Sequence, residues 1–332
     1  MKHLCIVEHG TFLGLDKQRI VVQSQNKPVS EYPLNRIKTI TIAKKGISFS
    51  SDVITACAQR GIKLFFLDYR GQPCACLAGF HFHAVTAIRK QQFIYIDSIK
   101  SAFLARDFVY GKIRNQRATL KYFSKYYHKL SDDSLYQLFT STADKLQLFC
   151  DELSSFQATI LNWRSYLMGI EGKTAHLYWQ CYKDSKLLPE SFSSRSGRNA
   201  PDITNAALNY GYAILTSYIW NAVINAGLEA YAGVLHTDRP GKPSLVLDIM
   251  EVYRPWTVDR VIMKNRSTLN KELSLTPKLK KAIIEGIQKT FSKNYSYKNK
   301  QLSLESIVQR QIYRLSGTFM GQRKYKPYIF RW

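Results

Sequence analysis

Glu171, His236, Asp248 and Glu251 are the side chains in this sequence best suited to chemistry. Asp248 and Glu251 stand three apart among Leu245, Val246, Leu247, Ile249 and Met250, in a stretch that reads as a helix from about Ser244. On a helix they lie only about 60° apart around the axis. Carboxylates in so apolar a helix are costly to bury unless a cation neutralises them, and a divalent metal ion does that. His236 sits just upstream, across the turn Thr237-Asp238-Arg239-Pro240-Gly241-Lys242-Pro243, and can supply an imidazole. Glu171 occupies a second apolar helical context, Tyr166 to Trp179. Glutamate, histidine and aspartate together suit an octahedral Mg²⁺ or Mn²⁺ ion, with the imidazole tilting the choice toward Mn²⁺. Spacing alone also fits plainer readings: a solvated helix face or ion-pair partners for the carboxylates, and a structural role for His236.

The elements that must position these residues change in texture along the chain. Residues 1–90 read as short strands, with β-branched or aromatic clusters at Val21–Val22, Ile37–Ile42, Ile47–Phe49 and Lys63–Leu67. Glu8-His9-Gly10, Asn26-Lys27-Pro28 and Arg70-Gly71-Gln72-Pro73 break them. Ser50-Ser51-Asp52 is a capping signal for one helix running to Ala58. Residues 91–332 read as helical: Gln91 to Lys129, Leu135 to Trp179, Ile203 to Ala226, and again from Ser244. SFSSRSGRNAP, ending at Pro201, is a polar and basic loop. In the first of these helices Phe103, Phe108, Val109, Ile113 and Leu120 interleave with Arg106, Lys112, Arg114, Arg117 and Lys121, and the basic set reads as a solvated face. The last ten residues, Arg323 to Trp332, mix cations with aromatics, as a strand-binding tail or a docking segment does. The fold class expected is α+β: a β-rich N-terminal domain followed by an all-α-helical catalytic domain.

Charge identifies the partner class. Lys plus Arg total 48 against 24 Asp plus Glu, a net charge of +24 that calls for a polyanion. No stretch reaches the roughly 18 apolar residues of a spanning helix, and Glu8 closely follows a very short apolar run, so neither a membrane span nor a signal peptide is expected. The partner is then nucleic acid and the compartment cytoplasmic. Six scattered cysteines form no CxxC pair, and Cys74 and Cys76 read as small buried residues of a strand. His81-Phe82-His83 has the spacing of a two-histidine metal motif but reads as structural, as do His3, His9, His128 and His176.

Four ordered blocks then resemble the CRISPR-associated spacer-acquisition integrases, the Cas-one family. They are Glu171-Gly172-Lys173-Thr174-Ala175-His176-Leu177-Tyr178, Asp202-Ile203-Thr204-Asn205-Ala206-Ala207-Leu208-Asn209-Tyr210-Gly211-Tyr212, Gly233-Val234-Leu235-His236, and Asp248-Ile249-Met250-Glu251-Val252-Tyr253-Arg254-Pro255. Thr174 stands where many members carry alanine. The resemblance covers nearly the whole chain. It implies a β-domain, residues 1–90, that dimerises the protein, and a helical domain, residues 91–332, that binds DNA. It implies a complex with the small Cas-two companion protein and with double-stranded and branched DNA. It implies Glu171, His236 and Glu251 as ligands of Mn²⁺ or Mg²⁺, with Asp248 supporting them, and Arg254, Arg198 and Lys242 as backbone contacts. The activity implied is insertion of short DNA fragments, spacers, into a CRISPR array by attack of their 3′-hydroxyl ends. Against it stand a non-catalytic DNA-binding scaffold and a stand-alone hydrolytic nuclease.

Overall fold

The computed structural model describes residues 2–25, 27–68, 73–79, 86–159, 162–197 and 202–331. The chain divides into two units, Met1–His83 and Ala84–Trp332. The expected turn at Arg70-Gly71-Gln72, the His81-Phe82-His83 motif and Arg198 lie outside the described residues.

Alternating apolar residues build the first unit from two four-stranded sheets. Its elements are β1 (Lys2–Ile6), β2 (Phe12–Asp16), β3 (Arg19–Gln23), β4 (Ser30–Pro33), β5 (Ile37–Ile42), β6 (Ser48–Phe49), α1 (Ser51–Gln59), β7 (Lys63–Leu67) and β8 (Pro73–Leu77). One sheet runs β1-β5-β7-β8, the other β4-β3-β2-β6. Strand β5 pairs in parallel with both β1 and β7. That explains its near-continuous burial, since parallel strands are covered on both faces. Ser50 caps α1, its hydroxyl accepting from the Val53 amide at 3.4 Å. Ile20, Ile40, Val53 and Leu64 are buried in one shared core. Strand β8 is at the edge of its sheet, antiparallel to β7, and Cys74 and Cys76 are exposed on it. The expectation of burial fails because alternation shows that two residues share a face, not that anything covers it.

The second unit is helical, with one hairpin. Its elements are α2 (Thr86–Ile96), α3 (Lys100–Lys129), α4 (Asp133–Ser154), α5 (Trp163–Asp184), α6 (Ile203–Asn225), α7 (Ser244–Arg254), a π-helical turn (Pro255–Asp259), α8 (Arg260–Lys264), α9 (Arg266–Leu269), α10 (Pro277–Ser292), β9 (Asn294–Tyr297), β10 (Lys300–Ser303) and α11 (Leu304–Phe319). The expected helix from Gln91 is two helices, divided near Ser98, and the stretch from Leu135 to Trp179 is broken between Ser155 and Asn162. The antiparallel β9–β10 hairpin is an addition to the all-helical expectation.

Helix α3 packs against α4, α5 and α7, and α6 against α7, α10 and α11. The basic side chains of α3 are not simply solvated. Arg117 Nε donates to the Ala143 carbonyl at 2.8 Å and Arg106 to the Leu153 carbonyl at 3.3 Å, both on α4. Lys112 is only 8% exposed. Against the expectation of a solvated face, Lys112 lies with Phe108, Asn115 and Thr119 along the buried stripe of α3.

The rings of the tail dock on their own unit, while Arg323, Lys324, Lys326 and Arg331 stay exposed. Tyr325 and Phe330 are buried. Phe330 stacks on Trp256, ring centroids 5.1 Å apart, and Tyr325 meets Phe108 at 5.2 Å. Asn115 ties three segments together. Its Nδ2 donates to the Val252 carbonyl at 2.7 Å and the Tyr328 carbonyl at 3.0 Å, and its Oδ1 accepts from the Phe330 amide at 3.0 Å. Gly111 makes room for the crossing, since a Cβ there would lie 2.6 Å from Pro327 Cβ. Because a buried ring is lost, Phe330→Ala is expected to destabilise the protein by about 3–5 kcal/mol in urea unfolding. A loss below about 1 kcal/mol would mean that the tail is not part of this core.

Candidate active site

The site forms where α3, α5, α7 and the loop before α7 meet. That loop ends in a tight turn: Pro240 and left-handed Gly241 (φ 73°) are its central residues, and the Lys242 amide donates to the Arg239 carbonyl at 3.0 Å. Proline then glycine at these positions is the pattern of a type II turn. Lys242 is half-buried beside it.

Asp248 organises the loop. It is fully buried on α7 and accepts from three successive amides: Val234 (2.6 Å) and Leu235 (3.0 Å) on Oδ2, and His236 (3.0 Å) on Oδ1. His236 Nδ1 lies 2.6 Å from the same Oδ1. A neutral ring donating from Nδ1 leaves Nε2 as the free, electron-rich nitrogen. Gly233 is required here, because a Cβ would stand 2.5 Å from Ser244 Cβ.

Glu251, one turn along α7, faces cations instead of amides. The Arg254 guanidinium binds its Oε1 from the next turn. Lys112 Nζ lies 2.6 Å from its Oε2 and also contacts Glu171 Oε1 on α5. Burial alone would raise the Glu251 carboxyl, but Arg254 and Lys112 outweigh it and hold it down at about 2. Lys112 balances the same forces: burial lowers it, while Glu251 and Glu171 more than restore it. Thr174, fully buried one turn beyond Glu171, returns its hydroxyl to the Ile170 and Glu171 carbonyls, so the change from alanine is absorbed inside α5.

Beyond Glu251 lies a polar cluster that sequence reasoning did not assign. Arg254 and Arg195 both lie over the Tyr212 ring, at 4.6 and 5.2 Å. Arg195 is anchored by Asn205 (2.8 Å) and Asn209 (2.6 Å) of α6. The Tyr212 hydroxyl donates to Asp259 at 2.6 Å. Arg254, expected as a phosphate contact, is engaged with a carboxylate and a ring. The π-helical turn carries Asp259 inward, and such turns recur at functional sites.

The chemistry of the donor set fits a hard divalent ion. Glu171 and Glu251 converge on one cationic point, marked by the Lys112 ammonium. Glu251 Oε2 is buried without an aligned hydrogen-bond donor. His236 offers Nε2. Among the described residues, no three histidine, cysteine, aspartate or glutamate side chains are yet gathered closely enough to hold an ion. The gap between those statements is Lys112, which keeps the two carboxylates around an ammonium.

Asp259 gives this region a pH dependence. Burial raises its carboxyl to about 6 from 3.8, against the lowering pull of the Tyr212 hydroxyl. The folded chain thus holds that proton more tightly than the unfolded one. The resulting stability is fully present below the unfolded value and is lost as pH rises through the folded value. By linkage the loss between about pH 4 and pH 7 amounts to at most about 3 kcal/mol. Asp259→Asn is expected to flatten this decline in urea unfolding across the same window. An unchanged slope would locate the dependence elsewhere.

Comparison with known proteins identifies the family. A sequence model of the family described as "CRISPR associated protein Cas1" matches residues 4–295. A relative from Francisella tularensis subsp. novicida, named "CRISPR-associated endonuclease Cas1 1", is 47% identical over 335 residues, covering 100% of both chains. A solved structure described as "Casposase bound to integration product" superposes with a TM-score of 0.82 at 20% identity, covering 98% of this chain and 93% of its own. A "Cas6-RT-Cas1--Cas2 complex" chain superposes with a TM-score of 0.77 at 20% identity, covering 99% of this chain and 36% of its own. At such identities these two likenesses establish shared fold. The family match and the full-length relative establish descent: this chain belongs to the CRISPR-associated Cas1 family.

Proposed function

We propose that this protein is a CRISPR adaptation integrase, a divalent-metal-dependent DNA endonuclease and strand transferase that inserts spacers into the array. The observation that carries the reading is the convergence of Glu171 and Glu251 on one cation, beside a histidine whose ring is set by Asp248. In this reading Glu171, Glu251 and His236 Nε2 hold Mn²⁺ or Mg²⁺. When bound, the ion polarises the scissile phosphodiester and offsets charge developing on its oxygens.

The chain's own residues do the positioning. Asp248, through three amides and the imidazole, keeps His236 turned inward, as partners of metal-ligating histidines do. Arg254, braced on Tyr212, holds Glu251 ionised and adds positive charge where a phosphate arrives. Lys242 at the tight turn and Arg198 extend the DNA contact. A 3′-hydroxyl of the incoming fragment attacks a phosphodiester at the repeat boundary. One P–O bond forms as another breaks, and the displaced strand leaves with a new 3′-hydroxyl. No covalent enzyme intermediate is required. Water in place of the hydroxyl gives cleavage, which accords with the relative's name as an endonuclease.

The net charge of +24 supports a DNA partner. The Cas1–Cas2 likeness supports a complex with the Cas2 companion. In this reading the β-rich unit joins a homodimer. No helix among the described residues is long and apolar enough to cross a membrane.

Incubated with Mn²⁺ or Mg²⁺, companion protein and a repeat-bearing target, the protein is expected to join 3′-hydroxyl DNA ends to that target. Glu171→Ala and Glu251→Gln should abolish joining. Joining by either variant at the parental rate would refute the assignment. Asp248→Asn removes a partner of the histidine, so its Mn²⁺ affinity or joining rate should fall about 10–100-fold. Parental values in calorimetry and in the joining assay would show that Asp248 serves folding alone.

A further inference from the structure

Two carboxylates that face each other, one of them buried, repel unless a cation lies between them, and here that cation is tethered to α3. Lys112 reaches from the buried stripe of its helix to both Glu171 and Glu251. The two cations on Glu251 differ in kind. Arg254 is planar and braced by the Tyr212 ring, so it stays in place. Lys112 ends in a compact ammonium on a flexible stem, and its 2.6 Å approach to Glu251 Oε2 is a charge contact without an aligned hydrogen bond. Toward Glu171 Oε1 it donates a directed hydrogen bond, and its flexible stem can change rotamer without moving α3.

We propose that Lys112 is a built-in placeholder cation. Its ammonium occupies the position between Glu171 and Glu251, keeps the two glutamates facing one another before a divalent ion arrives, and withdraws when the ion enters. The inference rests on the reading above that these glutamates are metal ligands. Metal uptake is then a competition between a tethered monocation and a free dication. The apparent affinity is reduced by the fraction of sites the lysine has left open. The lysine is a positioning residue: it pre-assembles the ligands and makes loading conditional.

Mn²⁺ titration of the full-length protein, followed by the electron paramagnetic resonance of free Mn²⁺, tests this directly. Lys112→Met removes the competitor at nearly constant length and is expected to bind Mn²⁺ about tenfold more tightly than the parent. Lys112→Arg keeps a cation and should bind no more tightly than the parent. Affinity of Lys112→Met equal to or below the parental value overturns the placeholder role. Glu251→Gln separates the two levels of the argument: Mn²⁺ binding by this variant at parental affinity defeats the metal-site reading itself. Its loss beside an unimproved Lys112→Met defeats only the placeholder. Should Lys112→Met fail to fold, the parent still decides. Acetylation of Lys112 by acetic anhydride, read by mass spectrometry, should rise severalfold under saturating Mn²⁺ as the ammonium leaves its carboxylates. Labelling that stays constant overturns the proposal.

Discussion

Glu251 is an ionised carboxylate sealed inside a helical unit, and the architecture around it answers that single cost. Burial opposes its charge, yet Arg254 and Lys112 hold it ionised. The compensation works only if α3 and α7 stay in register, because the two cations come from different helices. Removing one partner of such a cluster leaves an uncompensated buried charge, which costs more than the pair contributes. The site and the stability of its surroundings are therefore one problem.

The devices that keep the register are backbone bonds and close packing. Asn115 stands one turn beyond Lys112 and ties α3 to the Val252 carbonyl, next to Glu251 in sequence. The same amide clamps the C-terminal tail across both helices. Phe330 then fills the space beside Trp256, in the π-helical turn that follows α7. The aromatic tail is a clasp over the back of the site. Its positive charges remain outside, while its rings supply the apolar area that secures the crossing.

Asp248 and Glu251 show how one helix assigns different work to neighbouring carboxylates. Both are buried acids of α7, three residues apart. One is enclosed by amides and an imidazole, the other by cations. The first fixes a loop and sets a ring; the second awaits or holds a charge. Environment, not residue type, separates the acid held by amides from the acid held by cations.

The order of elements was legible because periodicity is local. Ser50 predicted the start of α1, and the density of apolar residues around Asp248 predicted α7. The candidate acids and His236 could be chosen because carboxylates in apolar helices are conspicuous. The resemblance of four blocks supplied the family before any coordinate. Tertiary structure decided what those residues meet. Nothing local marks Lys112 off from the other basic residues of α3, and nothing in a Cys-Ala-Cys strand tells which face is covered. The tail has the composition of a DNA-binding segment, and its rings pack inward while its cations stay exposed. A side chain's partners come from segments as distant as α3 and the C-terminus, so pairing, burial and ionisation emerge only when those segments are brought together.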